Sequence, residues 1–261
     1  MIVYYPNSIV QFELDVFSSE ILSYFELFFK ETGFKEGLET LIITEKEKYV
    51  FLFKNSIYQC RDCTEAIITI TGIIRQNLKF SCDWNAIHGS IIQIKSKNIL
   101  FIGQTHAGKS TLAAYLSLQS DALIMSEDVS IINCKTLEFV CWPTPIFLRP
   151  KGADILANCY DCQLPEMDRA YNDKLIFRYP DSKNVDNVKL NACFLLNRIP
   201  EMKDPEIVPV LSEEKYAENF FLHHTMFYNI KCAVALYNKL PIYELRYENL
   251  KCLRQWLYIH F

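Results

Sequence analysis

The eight-residue segment Gly103–Ser110 constrains the fold of this chain more than any other feature of its sequence. It follows Ile99–Ile102, an apolar run that predicts a strand, and it leads into Ser110–Leu118, whose alanine and leucine content predicts a helix. A strand that turns directly into a helix is typical of alternating α/β architecture. The sequence therefore predicts an α/β fold.

The same segment matches the pattern G-x-x-x-x-G-K-[ST] at every fixed position. Glycines let backbone N–H groups converge on phosphate oxygens, the lysine neutralises the β- and γ-phosphates, and the serine hydroxyl binds Mg²⁺. The alternative is a chance match, which the low glycine content, seven in 261 residues, disfavours. We expect ATP and Mg²⁺ as cofactors, with the nucleotide bound by Gly103, Gln104, Thr105, His106, Ala107, Gly108, Lys109, Ser110 and Thr111.

Composition narrows the class of protein further. Half of the residues are hydrophobic and the net charge is −4, so a large core can form but no general basic face for nucleic acid is expected. The N-terminus lacks the basic region of a signal peptide, and the most apolar run, Ala66–Ile74, is too short to span a bilayer. We expect a soluble cytoplasmic protein with no membrane partner and with its ten cysteines reduced.

Hydrophobic periodicity divides the chain softly into an N-terminal α+β portion, residues 1–84, and a second domain, residues 85–261. In the first portion we predict strands at Ile9–Val16, Leu41–Ile43 and Tyr49–Phe53, a charged turn at Glu45–Lys48, and helices at Ser18–Phe29 and Thr64–Leu78. In the second we predict a hairpin of Ile91–Ile94 with Ile99–Ile102, strands at Ala122–Met125, Phe194–Leu196 and Val208–Val210, an extended stretch at Thr136–Phe147, and helices at Lys151–Asn158 and Ser212–Leu222.

Two carboxylates, Glu127 and Asp128, follow the strand predicted directly after the Ser110–Leu118 helix. If that strand lies beside the one that precedes Gly103, the two carboxylates arrive next to the phosphates. They could then divide two tasks, holding Mg²⁺ and accepting a proton from an incoming hydroxyl. An ordinary acidic turn is the alternative, and the motif just upstream favours the functional interpretation.

His88-Gly89 precedes the predicted hairpin, and with the motif and the acidic pair it resembles the catalytic domain of the HPr serine kinase/phosphorylase family. That family runs His-Gly, a hairpin, Gly-x-Ser-Gly-x-Gly-Lys-Ser, one helix and Asp-Asp. The resemblance covers roughly residues 85–200 and implies a fold similar to phosphoenolpyruvate carboxykinase. It implies that His88 lies near the reacting phosphate, that Lys109 binds phosphate, and that Ser110 and Asp128 hold Mg²⁺. Glu127 is then the expected base, although its role could exchange with that of Asp128.

Several departures shape the functional expectation. His106 stands where the family has glycine, Glu127 replaces the first aspartate, and the N-terminal portion is unlike the family's regulatory domain. The chain looks closer to the HPr-kinase-like proteins of ribosomal-peptide gene clusters. The resemblance thus implies an ATP-dependent kinase that phosphorylates a hydroxyl, above all a serine on a peptide or small protein. A small-molecule kinase and a non-catalytic nucleotide-binding sensor are the alternatives, and a homo-oligomer is left open.

Weaker signals remain. Two C-x-x-C pairs, at Cys60–Cys63 and Cys159–Cys162, are too far apart in sequence for a zinc ribbon, so inert thiols are expected. Arg149 and Arg178 could clamp a transferred phosphate, although an arginine at the surface is the more ordinary interpretation of each.

Overall fold

Contacts between residues divide the chain into two units, Met1–Cys82 and Asp83–Phe261, in a computed structural model. The predicted boundary lies between residues 84 and 85. The structure describes residues 1–4, 10–28, 34–79, 83–104, 106–119, 122–141, 146–164, 168–169, 175–177, 188–210 and 230–261. None of the helices in those ranges is long and apolar enough to cross a membrane.

The first unit is built on a five-stranded sheet whose strands follow one another in chain order. Its strands are β1 (Ile2–Tyr4), β2 (Val10–Asp15), β3 (Glu39–Glu47), β4 (Val50–Phe53) and β5 (Ser56–Gln59), and its helices are α1 (Ser19–Phe28) and α2 (Cys63–Asn77). Strands β2 and β3 are parallel and α1 connects them, whereas the other pairs are antiparallel. This α+β arrangement agrees with the one predicted for the first portion.

Helix α2 forms although Ile and Thr, which favour strands, make up much of its sequence. The Asp62 side chain caps its first turn by accepting from the Glu65 N–H at 2.8 Å. Its buried residues recur at helical spacing and include Ala66, Ile70 and Ile74, so packing of this face outweighs the strand propensity. The predicted helix at Thr64–Leu78 is confirmed.

The predicted turn at Glu45–Lys48 is wrong at its start, because β3 continues to Glu47. The Glu45 side chain is buried and accepts from the backbone N–H groups of Phe17, Ser18 and Tyr49. A charged side chain such as Glu45 is ordinarily expected at the solvent-exposed surface. Here its carboxylate pairs three backbone N–H donors, and these hydrogen bonds allow it to be buried in the strand. The pairing of β3 with β4 is nevertheless irregular in the segment where a turn was predicted, because the register shifts between Glu45 and Glu47.

The second unit contains twelve further strands and four helices among its described residues. The strands are β6 (Trp84–His88), β7 (Ser90–Ile94), β8 (Lys97–Ile102), β9 (Leu123–Ser126), β10 (Val129–Asn133), β11 (Phe139–Val140), β12 (Ile146–Leu148), β13 (Asp168–Arg169), β14 (Leu175–Phe177), β15 (Ala192–Arg198), β16 (Glu206–Pro209) and β17 (Ile242–Tyr247). The helices are α3 (Lys109–Gln119), α4 (Pro150–Tyr160), α5 (Ile230–Lys239) and α6 (Leu250–His260).

A six-stranded sheet in the order β16-β17-β15-β8-β7-β9 forms the centre of this unit. Strands β8, β15 and β17 are parallel to one another, and β7 is antiparallel to both β8 and β9. One face packs against α3, α4 and α6, and the other packs against α5 and the β6-β10-β11 sheet. Burial on both faces explains why Ile99–Ile102 is uniformly apolar.

Most of the predicted elements of the second domain are confirmed, including the β7–β8 hairpin, α3, β9 and α4. The helix predicted at Ser212–Leu222 lies outside the described residues, as does the Pro-rich part of the extended stretch, residues 142–145. The chain is a mixed α/β protein with four separate sheets among its described residues.

Candidate functional site

The Gly103–Ser110 segment comprises the connection from β8 to α3 and the first two residues of α3, at the end of the central sheet where β8, β15 and β17 all terminate. Two of its residues adopt left-handed backbone conformations, Gly108 with φ +90° and His106 with φ +72°. Such conformations cost glycine little, whereas His106 adopts one despite its Cβ. Thr105 lies outside the described residues. The described loop therefore curls back at the N-terminus of α3, where its amides can face an anion.

Neighbouring strands support the loop at close range. A Cβ on Gly103 would come 3.1 Å from the Leu196 carbonyl oxygen of β15, so only glycine fits there without a shift. The buried Tyr247 phenol, on β17, donates to the Ala107 carbonyl at 3.1 Å. Burial raises the pKa of Tyr247, which keeps the phenol protonated and able to donate. No local pattern in the sequence indicates Tyr247, because its contact with Ala107 spans 140 positions.

The Lys109 side chain lies over the loop rather than in solvent. Only 8% of Lys109 is exposed, and its Nζ donates to the carbonyls of Gly103 at 2.9 Å and Gln104 at 3.2 Å. Burial lowers the pKa of Lys109, and the Glu127 and Asp128 carboxylates act in the opposite direction. The ammonium group is therefore bonded to loop carbonyls and lies within electrostatic reach of the acidic pair.

Glu127 follows β9 and is 1% exposed. Its carboxylate accepts hydrogen bonds from the hydroxyls of Ser90 and Ser110. Burial raises the pKa of Glu127, while these hydroxyl donors favour its charged form. The structure thus brings two predicted residues, Ser110 of the loop and Glu127 of the acidic pair, into direct contact. Ser90 is a third member of this group that the sequence did not indicate.

Asp128 faces a different environment, although it is the next residue. Its backbone is left-handed, with φ +64°, and half of its side chain, 50%, is exposed. The Oδ1 atom lies 3.4 Å from Nε2 of His88, whose side chain is 35% exposed. The His88–Asp128 pair is therefore open to solvent, whereas Glu127 is enclosed.

The connection between β6 and β7, next to His88, is hydrogen-bonded to the connection between β9 and β10, which contains Asp128. The Gly89 N–H donates to the Asp128 carbonyl at 3.2 Å, and the Ser130 hydroxyl donates to the Gly89 carbonyl at 2.9 Å. A Cβ on Gly89 would lie 2.8 Å from the Phe101 carbonyl oxygen, closer than real Cβ contacts. The glycine of His-Gly is thus required by the approach of β8, which brings the connection next to His88 beside the loop.

Of the two arginines considered as phosphate clamps, Arg178 lies outside the described residues. Arg149 is the N-cap residue of α4. Its Nη1 is 2.6 Å from Nε2 of His106, so the guanidinium lies against the loop. The start of α4 also approaches α3, where a Cβ on Gly152 would lie 3.0 Å from the Thr111 hydroxyl oxygen. The structure thus places a cation beside the predicted phosphate-binding segment.

In the described part of the chain, no group of three or more His, Cys, Asp or Glu side chains has a geometry that could hold a metal ion, and this includes the described cysteines. Cys60, Cys63 and Cys162 are buried, and burial raises the pKa of Cys60 and Cys162, which disfavours the reactive thiolate. The expectation that all ten cysteines are reduced is corrected at Cys134, which is disulfide-bonded. Composition could not reveal this, because pairing depends on which thiols the fold brings together.

Five predicted residues therefore converge at one end of the second unit: His88, Lys109, Ser110, Glu127 and Asp128. Together they offer an imidazole, a buried ammonium group, a hydroxyl, an enclosed carboxylate and an exposed carboxylate. Such a set can bind a polyphosphate with a hard cation and receive a proton at an exposed oxygen. No protein-family model matches the chain, and no curated protein is significantly similar to it.

Proposed function

We propose that this protein is a kinase that transfers the γ-phosphoryl group of ATP to a hydroxyl group. One observation carries the proposal: the two adjacent carboxylates are separated, with Glu127 bonded to Ser110 of the loop and Asp128 exposed beside His88. A protein that only binds nucleotide has no need of a second, exposed carboxylate next to the phosphate loop. A phosphotransferase needs one group for the metal and another for the acceptor.

The residues present fit both expected cofactors. The described loop amides, the N-terminus of α3 and the buried Lys109 ammonium suit the phosphates of ATP. Ser110 and Glu127 supply the hard oxygen donors that Mg²⁺ prefers, and Mg²⁺ commonly takes its remaining ligands from water and phosphate. When bound, Mg²⁺ neutralises charge on the β- and γ-phosphates.

Exposure favours a particular division of labour between the carboxylates. The sequence led us to expect Glu127 as the base and Asp128 as a metal ligand, with exchange left open. Glu127 is enclosed and already accepts from two hydroxyls, so an incoming acceptor has little access to it. Asp128 is half exposed and therefore reachable. We assign Glu127 to the metal side and Asp128 to the acceptor side.

In this scheme the chain's own groups perform four tasks. Lys109 and the loop amides hold the triphosphate, and Ser110 with Glu127 holds the metal side in place. Asp128 receives the proton of the acceptor hydroxyl at a carboxylate oxygen while that hydroxyl oxygen bonds to the γ-phosphorus and the bond from the γ-phosphorus to the β–γ bridging oxygen breaks, with its electrons leaving on ADP. His88, 3.4 Å from Asp128, orients the carboxylate. The products are ADP and a phosphate ester.

The open position of His88 and Asp128 supports a serine on a peptide or small protein as the acceptor. A small-molecule kinase would enclose its acceptor to exclude water, whereas these two side chains are 35% and 50% exposed. The non-catalytic sensor remains the main alternative from another class. It is disfavoured by the proximity of the acidic pair to Lys109, whose pKa both carboxylates affect.

Radiolabelled ATP, offered with serine-containing peptide libraries and separately with small alcohols, tests the proposal. We expect label on peptide, and we expect Lys109→Ala to abolish it and to weaken ATP binding about 10- to 100-fold, because charge-assisted contacts to phosphate are lost. Lys97→Ala, which removes an exposed lysine at the other end of β8, is the matched control.

Calorimetric binding of ATP by the wild type without label on any acceptor would favour the sensor. Label on small alcohols alone would favour the small-molecule kinase. Equal ATP affinity in Lys109→Ala and wild type would overturn the proposed nucleotide site itself.

A further inference from the structure

Ser90 is the first residue of β7, and its side chain has no part in the roles assigned so far. It is 1% exposed, and its hydroxyl donates to Oε2 of Glu127. The hydroxyl of Ser110 donates to the same carboxylate. The Glu127 carboxylate thus lies between two serines, one from the phosphate loop and one from the strand that follows His88-Gly89.

This arrangement limits the freedom of Glu127. A buried carboxylate without hydrogen bonds would be strongly destabilised, so the two donors define the orientation in which its charge is tolerated. Ser90 lies at a strand end that backbone pairing with β8 holds in register, Ser90 opposite Phe101. The Ser90 hydroxyl is therefore presented from a paired strand, whereas Ser110, the second residue of α3, presents its hydroxyl to the same carboxylate from the N-terminus of a helix.

We propose that Ser90 is a positioning residue for the metal side of the site: its hydroxyl fixes the Glu127 carboxylate in the orientation that holds the Ser110 hydroxyl in place. This proposal rests on the proposed function, because it takes Ser110 and Glu127 to be the groups on the metal side. It adds to that function a residue that lies outside both the loop and the acidic pair. Ser90 acts through Glu127 and does not touch the substrate.

A merely structural serine would behave differently, and Ser130 provides the comparison. Ser130 is also fully buried, at the start of β10, but its hydroxyl bonds the Gly89 carbonyl and the Ser126 hydroxyl. It reaches neither of the two carboxylates in the hydrogen bonds described. Loss of the Ser130 hydroxyl should reduce stability without changing how the protein responds to Mg²⁺.

The experiment is a fluorescence titration of the full chain with an N-methylanthraniloyl derivative of ATP, at a series of Mg²⁺ concentrations and in EDTA. For Ser90→Ala we expect the Mg²⁺ concentration for half-maximal nucleotide binding to rise about three- to tenfold, the range that one lost hydrogen bond supports. Nucleotide affinity in EDTA should not change. Ser90→Thr, which keeps the hydroxyl, should restore most of the Mg²⁺ response, and Ser130→Ala should match the wild type.

The outcomes separate this inference from the proposed function. An unchanged Mg²⁺ response in Ser90→Ala, or an equal shift in Ser130→Ala, would overturn the role of Ser90. A shifted Mg²⁺ response in a protein that transfers no phosphate to any hydroxyl would support Ser90 while the kinase proposal fails. A wild-type chain that binds no nucleotide would overturn both.

Discussion

At the scale of single residues, the main feature of the site is that two neighbouring carboxylates have opposite surroundings. Glu127 is enclosed by hydroxyl donors, and Asp128 turns outward through a left-handed backbone conformation. Both residues lie in the short connection between β9 and β10, where the left-handed backbone at Asp128 separates the two side chains. One dipeptide can therefore serve two sides of a reaction.

The two carboxylates should respond differently to removal of their charge. We expect Asp128→Asn to keep near-normal Mg·ATP affinity while phosphotransfer falls about 10²- to 10⁴-fold, the usual contribution of a proton acceptor. Glu127→Gln should weaken both Mg²⁺-dependent binding and turnover, because it removes a charge on the metal side. Paired binding titrations and transfer assays measure the two effects. If the two variants exchange these phenotypes, the assignment is reversed and Glu127 is the base.

Gly89 provides a second prediction at this scale. A methyl group there would press on the Phe101 carbonyl at 2.8 Å, so Gly89→Ala should lower the free energy of unfolding by about 1–3 kcal/mol. Gly72, inside α2, has nothing within 4 Å of the corresponding position, so Gly72→Ala should raise helix stability by about 0.5–1 kcal/mol. Urea denaturation monitored by circular dichroism compares them. A Gly89→Ala protein as stable as the wild type would contradict the close approach described for β8.

At the scale of elements, the site depends on strands that meet at one end of a sheet. The loop follows β8, its support comes from β15 and β17, and the carboxylates follow β9. Ligands of open α/β sheets characteristically bind beyond the carboxyl ends of parallel strands, and β8, β15 and β17 are parallel here. The loop therefore begins at the end of the sheet where these three strands terminate.

A substitution at Tyr247 tests whether β17 supports the loop. Tyr247→Phe removes only the hydroxyl that bonds the Ala107 carbonyl, so we expect a loss of about 0.5–1.5 kcal/mol in stability and weaker nucleotide binding. Tyr258→Phe is the matched control on α6, because the Tyr258 hydroxyl is buried and makes no hydrogen bond within the described structure. It should be neutral or slightly stabilising. Nucleotide titration and thermal unfolding of both variants check this, and equal behaviour of the two would show that the loop does not depend on β17.

At the scale of the whole molecule, every residue assigned to the candidate site belongs to Asp83–Phe261. That unit has its own buried clusters on both faces of the central sheet, and the first unit has a separate sheet and helices. We therefore expect a fragment of residues 83–261 to fold and to bind Mg·ATP with the affinity of the full chain. A folded fragment, verified by circular dichroism, that fails to bind nucleotide would show that Met1–Cys82 contributes to the site.

Local sequence patterns were enough to predict several elements: the strand, loop and helix around Gly103–Ser110, the strand that ends at Ser126, and helix α2. These depend on contacts between near neighbours and on a periodicity that short segments carry. The loop pattern also indicated Lys109 and Ser110, the position after the predicted strand indicated Glu127 and Asp128, and His88 was added by the resemblance to a known family.

Contacts between groups far apart in the sequence became visible only in the folded chain. Ser90 reaches Glu127 across 37 positions and Tyr247 reaches Ala107 across 140, and neither contact leaves a local pattern. The unequal burial of Glu127 and Asp128 was equally invisible, because solvent access depends on the strands packed around a residue. The same holds for Glu45, whose charge predicted a turn but whose backbone donors place it in a strand. Local propensity is a property of the segment, whereas burial and long-range hydrogen bonds are properties of the assembled sheet.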